Sequence, residues 1–558
     1  MTFRELKKAA VNASVGELKV AVVGDCATQM LTVALKGALA ARGVAAQVWE
    51  ADYNQVGRQL RVSDSELHRF APALVVVWEC VERWWVSNDL VEERLSRVAE
   101  YAEHFSGKLL YLNAAPFDDG VFGSYAATDE SFPVRVRKFN AGLDELCRTH
   151  KNLSIVDLNT LVSMQGRNNG FAPSLYMMSD MPLSLDMQAV LAERIAAVIS
   201  AHLGKAKKCV ILDLDNTLWG GIVGEDGLEG IQLGDHGVGK AFVLFQKMLK
   251  RLKDRGVILA VCSKNDEAIA REPFEKHPDM VLKTDDIACF VANWNTKADN
   301  VAHIQKILNI GFDSMVFLDD NPAEREIVRM AHPEVLVPEL PSDPAEWVAY
   351  LASGGCFETV TYSTEDAGRT KTYQEEAKRR AWESTFTSED DFLRGLEMKA
   401  SATPFDSFSI PRAAQLTQRS NQFNLRTKRY SESDLESFVK RDDVLTLAFH
   451  LSDKFGDYGL VSVMIGVVRG DELFLDTWLM SCRVLKRGLE DFALNAIVRL
   501  AAERGIKYVT GEYIPTRKNI MVSDLLDKKG FVKSKNGYRL TVTDYKERKH
   551  YIHEQVNH

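Results

Sequence analysis

Residues 209–217, CVILDLDNT, limit what this chain can fold into more than any other stretch. The short apolar run Val210 to Leu212 reads as a strand buried on both faces of a parallel sheet. Such a strand delivers Asp213, Asp215 and Thr217 to the loop at its carboxyl end, the edge where open α/β sheets bind ligands. Two carboxylates one residue apart suit phosphoryl transfer: one attacks phosphorus, while the other protonates the leaving oxygen and later activates water. They repel each other unless a cation sits between them, so a hard Mg²⁺ is expected. Alone, the same residues could equally form an ordinary polar turn after a strand.

Three later stretches favour the catalytic reading. Val257 to Cys262 is a second apolar run, ending in Ser263, Lys264 and Asn265, where a hydroxyl can hold a phosphoryl oxygen. Lys297, in NWNTKADN, supplies positive charge for a transferring phosphoryl. Met315 to Leu318 is a third buried strand, ending in Asp319 and Asp320, hard oxygen ligands for the same cation. The four stretches resemble the four motifs of the haloacid dehalogenase (HAD) phosphotransferase superfamily. That resemblance implies Asp213 as nucleophile and Asp215 as acid/base. It implies Thr217, Ser263, Asn265 and Lys297 around the phosphate, and Asp213, Asp215, Asp319 and Asp320 around the metal. The wording DLDNTLWGGIVGEDG, with VCSKN, NWNTK and FLDDNPAER, is narrower and resembles the FkbH-like proteins of polyketide assembly.

At 558 residues the chain has room for three or four domains. Its apolar and charged fractions are those of globular proteins, and it shows neither a signal-like N-terminus nor a run long enough to span a bilayer. A cytoplasmic protein is expected. Eight cysteines without a CxxC pair read as reduced thiols, mostly buried. The net charge of −9 divides into −14 for residues 1–400 and +5 for residues 401–558. No dense basic face for nucleic acid follows from that balance, and it is compatible with docking a small acidic protein.

Residues 1–205 alternate apolar runs, at 18–23, 73–78, 109–113 and 153–157, with helix-like segments at 30–42 and 187–202, which implies a doubly wound α/β domain. The pattern is similar to SGNH hydrolases, with Gly24, Asp25 and Cys26 where that family has its GDS nucleophile stretch. Its DxxH pair falls at Leu185 to Met187, without a histidine, so a scaffold that has lost hydrolase chemistry is expected. The HAD-like domain is expected over 206–355, with Phe242, Phe245, Leu249 and Leu252 forming a core-facing stripe on a helix over 238–255. Only a Gly-rich flap precedes that helix, so the site should be open. His236, His277 and His303 read as surface or cap residues.

Residues 356–399 are charged and helix-prone, a solvated connecting helix by default. Residues 400–558 open with a helix expected over 411–423, followed by strands at 444–450, 460–468 and 473–480. Next comes SCRVLKRGLEDF, a strand end, a basic turn and a helix start, which can aim backbone N–H groups at a pyrophosphate or phosphopantetheine. It resembles the acyl-thioester loop of GNAT-like acyltransferases, an α+β fold, and implies Arg483, Lys486, Arg487 and Gly488 as carrier-binding residues. Cys482, beside those cations, is the thiol expected to carry an acyl group, ahead of Cys262.

The FkbH-like resemblance implies a Mg²⁺-dependent glyceryl transferase and phosphatase. A three-carbon unit from 1,3-bisphosphoglycerate would lose its remaining phosphate and end as a thioester on an acyl carrier protein. A plain phosphomonoester phosphatase and a non-catalytic carrier-docking module are the alternatives.

Overall fold

The computed structural model describes the chain except residues 86, 88, 89, 116–118, 124, 126, 127, 361–368, 384, 385, 421, 517, 535, 536 and 556–558, and gives backbone alone at 369, 372, 377, 380, 381, 383, 419 and 482. It divides into two compact units, Met1–Thr370 and Lys371–His558.

Two parallel sheets build the first unit. The first contains β1 (Leu18–Gly24), β2 (Ala46–Glu50), β3 (Leu74–Trp78), β4 (Lys108–Leu112) and β5 (Leu153–Val156), in the order β2-β1-β3-β4-β5. Four of these are the expected apolar runs. The fifth, β2, is a half-buried edge strand whose AQVWE lacks a continuous apolar signal. Separate hydrophobic clusters cover the two faces. Helices Gln29–Ala41 and Leu185–His202 supply Leu31, Leu35, Leu191 and Ile195 to one. Helices Val91–His104 and Phe132–Thr149 supply Val98, Tyr101, Val136 and Phe139 to the other. That is the doubly wound arrangement.

The second sheet contains β6 (Cys209–Leu212), β7 (Ile258–Ser263), β8 (Ile287–Ala292) and β9 (Met315–Leu318), in the order β8-β7-β6-β9. Helix Gly237–Asp254 buries Phe242, Phe245 and Leu249 as its sequence stripe demands. His236 caps that helix and is exposed, His277 caps the helix Glu267–Lys276, and His303 is exposed. Trp347 packs edge-on against Phe242 and Phe245, and its indole N–H donates to the Pro341 carbonyl at 2.7 Å.

The second unit holds one sheet: β10 (Met398–Thr403), β11 (Phe423–Asn424), β12 (Val444–Asp453), β13 (Gly456–Arg469), β14 (Glu472–Met480), β15 (Tyr508–Gly511), β16 (Val532–Ser534), β17 (Gly537–Thr541) and β18 (Ile552–Glu554). Its order is β16-β17-β15-β14-β13-β12-β10-β18, with β11 on β14. Most pairs are antiparallel, but β10 with β18 and β14 with β15 run parallel. Their register covers only Glu472 to Phe474 of β14, whose far end pairs with β11 instead. The two strands therefore splay, and helix Leu489–Glu503 follows the splayed end. This is an α+β domain of the expected class.

Two local expectations change. The helix expected over 411–423 spans Ser409–Arg419, because Phe423 is drawn into β11 against Met480. The connecting helix expected within 356–399 is present at Arg369–Glu383 but is not wholly solvated: Arg379 is 1% exposed and its guanidinium donates to both Asp453 oxygens at 2.6 and 2.9 Å. Among the described residues no helix is long and apolar enough to cross a membrane.

Candidate active site

In the sheet β8-β7-β6-β9 the chain runs outward in one direction from β6 to β7 and β8, then returns to place β9 on the other side. Strand order thus reverses between β6 and β9, and ligands of open α/β sheets bind at such a point, beyond the carboxyl ends. Asp213 is the first residue after β6 and Asp319 the first after β9, and the Asp213 amide donates to the Leu318 carbonyl at 3.0 Å.

The carboxylates of Asp213, Asp319 and Asp320 converge, with one oxygen of each within 4.8 Å of the others. Lys297 begins a helix, Lys297–Leu308, whose N-cap is Thr296. Its ammonium lies 2.6 Å from Asp213 Oδ1 and 2.6 Å from Asp319 Oδ2. Asp319 is fully buried, Lys297 3% exposed and Asp213 8% exposed. Burial raises the Asp213 pKa against the pull of Lys297. Burial and then Asp213 push Asp319 up to about 6. Burial alone would lower the Lys297 pKa, but Asp213 and Asp319 outweigh it and hold the ammonium charged. When ionised, three carboxylates facing one ammonium leave two negative charges uncompensated. That oxygen-only donor set fits a hard divalent cation.

Thr217 faces Asp320. Its hydroxyl accepts the Asp320 amide at 3.2 Å and reaches Asp320 Oδ1 at 3.4 Å, so it orients a carboxylate. Asp215 does not join the carboxylate cluster. Its Oδ1 accepts the Trp219 indole N–H at 2.9 Å and the Val223 amide at 3.0 Å, and its Oδ2 accepts from Asn265 Nδ2 at 3.1 Å. The expected side-chain ligation by Asp215 is corrected accordingly, since three donors turn it toward the flap. Asn265 is therefore a partner of Asp215, while Ser263 ends β7, buried, at the same edge. Asn216, with φ of 55°, turns the chain back after Asp215 and fixes the Gly221 amide at 2.9 Å.

Two residues that complete this framework carry no motif signal of their own. Arg325, 6% exposed, donates to the carbonyls of Asp319 at 2.9 Å and Asp320 at 2.8 Å, clamping the β9 loop. Trp219 is buried, and its Asp215 contact depends on the turn at Asn216. The signals FLDDNPAER and DNTLW were present, but neither spacing says that a side chain turns back onto its own loop.

Burial pushes Cys262 up to about 12 and Cys289 up to about 12. The side chain of Cys482 lies outside the described residues. In its neighbourhood, Lys486 and Gly488 both have left-handed backbones, φ 61° and 76°. Lys486 thus adopts the conformation glycine usually supplies, and is exposed. Arg483 is half-buried. Arg487 is turned inward, 6% exposed, with its guanidinium 5.1 Å from the Phe392 ring centre. The helix start that should favour an anion carries Glu490 and Asp491, and Lys529 and Arg548 pair with Asp491 at 2.6 and 2.7 Å.

Three convergent carboxylates around one ammonium at the reversal point of a parallel sheet are the arrangement of a HAD-type phosphatase domain. Residues 19–200 match the family model described as the FkbH N-terminal domain. Among solved structures, the chain is 45% identical to the N-terminal part of protein BF1531 from Bacteroides fragilis, which contains a phosphatase domain complexed with Mg. That match covers 65% of this chain and all of the other, with a TM-score of 0.62. The ribosomal-protein-S18-alanine N-acetyltransferase from Escherichia coli is 17% identical over 27% of this chain and 99% of its own, with a TM-score of 0.21. No curated protein matches. The chain belongs to the FkbH-like family.

Proposed function

We propose that this protein is a Mg²⁺-dependent glyceryl transferase and phosphatase that loads an acyl carrier protein from 1,3-bisphosphoglycerate. The observation that carries the phosphatase half is the Lys297 ammonium held 2.6 Å from both Asp213 and Asp319. The Mg-bound relative supports the cation, for which Asp213, Asp319 and Asp320 are the residues that would hold it. Bound there, Mg²⁺ supplies positive charge to the transferring phosphoryl.

Asp213 attacks phosphorus, and the bond to the glyceryl oxygen breaks as that oxygen takes a proton from Asp215. Oδ2 of Asp215 has the single Asn265 contact against two at Oδ1, which makes it the oxygen suited to carry that proton. Asp215 then takes a proton from water, which hydrolyses the aspartyl phosphate. Lys297 and Ser263 hold the phosphoryl oxygens.

Acyl transfer needs a thiolate to attack the acyl phosphate carbonyl and expel phosphate. Cys482 is the proposed first acceptor, and the carrier's phosphopantetheine thiol is the final one, held near Arg483 and Lys486. Neither nucleic acid nor membrane is part of the reading, and its place is the cytoplasm, where such thiols stay reduced.

The test is intact mass spectrometry of an acyl carrier protein incubated with the enzyme, Mg²⁺ and 1,3-bisphosphoglycerate, alongside Asp213→Asn and Cys482→Ala variants. A glyceryl adduct on the carrier, replaced by a phosphoglyceryl species with Asp213→Asn, is the expected result. Asp213-dependent phosphate release without a carrier adduct would reduce the protein to a phosphatase. Carrier binding without turnover would leave a docking module.

A further inference from the structure

The first sheet has its own reversal point. In the order β2-β1-β3-β4-β5 it lies between β1 and β3, and the residues beyond those two carboxyl ends form a second cluster. Asp25 and Cys26 follow β1, and Cys80 lies two residues beyond β3. The Asp25 amide donates to the Trp78 carbonyl at 3.1 Å, and the Cys80 amide donates to Asp25 Oδ1 at 2.7 Å, lacing the strand ends together. Gly24 permits this approach, since a Cβ there would stand 2.6 Å from the Thr28 methyl and 3.2 Å from the Trp78 carbonyl.

The two thiols and the carboxylate present one ligand atom each, all within 4.8 Å of one another. Cys26 is 1% exposed, Cys80 2% and Asp25 9%. A tetrahedral zinc site with Zn–S of about 2.3 Å places neighbouring ligand atoms roughly 3.3–3.8 Å apart, so side-chain adjustment of about 1 Å closes the three onto one ion. The wider surroundings are acidic. Glu82 lies against the Cys80 thiol, and Glu79, beside Asp25, accepts the Tyr111 hydroxyl at 2.5 Å. Two cations stand nearby: Arg83, whose guanidinium donates to the Tyr53 hydroxyl at 2.6 Å, and Arg167, which faces Glu82.

We propose that Asp25, Cys26 and Cys80 form a binding site for a thiophilic divalent cation of the zinc class, separate from the carboxylate site at β6 and β9. The donors differ in kind: two sulfurs and one oxygen select a borderline-soft ion, where three carboxylates select a hard one. Burial, then Glu79, push Asp25 up to about 7, and burial holds the Cys26 thiol well above its ordinary value. Binding breaks two S–H bonds and forms two metal–sulfur bonds, releasing the thiol protons to solvent, with any proton on Asp25 released as its oxygen takes up the metal. Glu82 or a water completes the fourth position. The missing histidine at Leu185 to Met187 is then no defect, because the thiols act as ligands and not as nucleophiles.

The experiment uses the full-length reduced protein, dialysed against chelator, with Mg²⁺ present to fill the carboxylate site, and titrated with cobalt(II). One cobalt per chain should produce thiolate-to-metal charge-transfer absorption in the near ultraviolet, lost on adding zinc. Cys26→Ser and Cys80→Ser should each remove about half of that absorption. Asp25→Asn, the milder change, should weaken cobalt binding by at least about tenfold. Asp213→Asn should leave the band intact. Absence of thiolate charge transfer at stoichiometric cobalt in the folded protein would overturn the proposal, as would a band undiminished in both cysteine variants.

Discussion

The edges of the two parallel sheets in the first unit are built alike and chemically opposite. Each sheet reverses direction next to its first strand, and each places an aspartate immediately after that strand, Asp25 after Gly24 and Asp213 after Leu212. Beyond β6 and β9 the neighbours are further carboxylates and the Lys297 ammonium. Beyond β1 and β3 they are two thiols, a backbone amide and the Glu79 carboxylate. Topology therefore decides where a site forms, and the one or two residues past each strand decide what it does. The carboxylate edge gathers oxygen donors around an ammonium, whereas the thiol edge gathers two sulfurs beside one carboxylate.

The largest effect that would break this comparison is on phosphate release. Asp213→Asn should lower it by at least about 10³-fold, since it removes the nucleophile itself. Asp215→Asn should cost about 10²–10⁴-fold, the range for losing general acid–base help. Steady-state rates with a small phosphomonoester check both, and Cys26→Ser should leave those rates unchanged.

Lys297→Met comes next, with a stability readout. It leaves Asp213 and Asp319 buried without their common cation, a loss of about 3–5 kcal/mol in denaturant unfolding. Mg²⁺ should restore part of it.

The pH dependence sharpens the contrast. Asp319 stands at about 6 in the fold against an ordinary 3.8, so the folded state favours its protonated form. Stability from that preference is present below pH 3.8 and is lost as pH rises toward 6. Thermal melts should show the Mg²⁺-induced rise in Tm growing between pH 5 and pH 7, within about one unit of that value. A rise independent of pH would place the cation elsewhere.

The smallest effect lies beside β5. Burial lowers His202 to about 4, and its Nε2 lies 3.2 Å from the Ser154 hydroxyl. A depressed histidine pKa gives stability that is present above pH 6.5 and lost as pH falls toward 4. His202→Gln should lose less stability than the parent over that window in parallel acid melts.

The sequence revealed these regions unevenly, for physical reasons. Buried parallel strands advertise themselves as apolar runs, so β1, β3, β6, β7 and β9 could be read directly. The edge strand β2 could not, because half-buried AQVWE carries little period. Asp213, Lys297 and Asp319 were legible because each sits at or just beyond a strand end or at a helix start. The direction of Asp215 was not, because it depends on a left-handed Asn216 and on an indole four residues away. Helix Arg369–Glu383 reads as solvated from its charge, and the long-range partners Asp453 and Tyr458 explain why Arg379 is buried. Cys80 was unreadable as a partner of Cys26, since 54 residues and a strand crossover separate them.

The most direct measurement is rapid acid quench of the enzyme with Mg²⁺ and a phosphomonoester, followed by peptide mass spectrometry. The account predicts one phosphoryl group on Asp213, accumulating in Asp215→Asn because water is no longer activated, and none in Asp213→Asn. Turnover with no phosphoryl on Asp213 in the parent or the Asp215 variant, and phosphate release retained in Asp213→Asn, would contradict it.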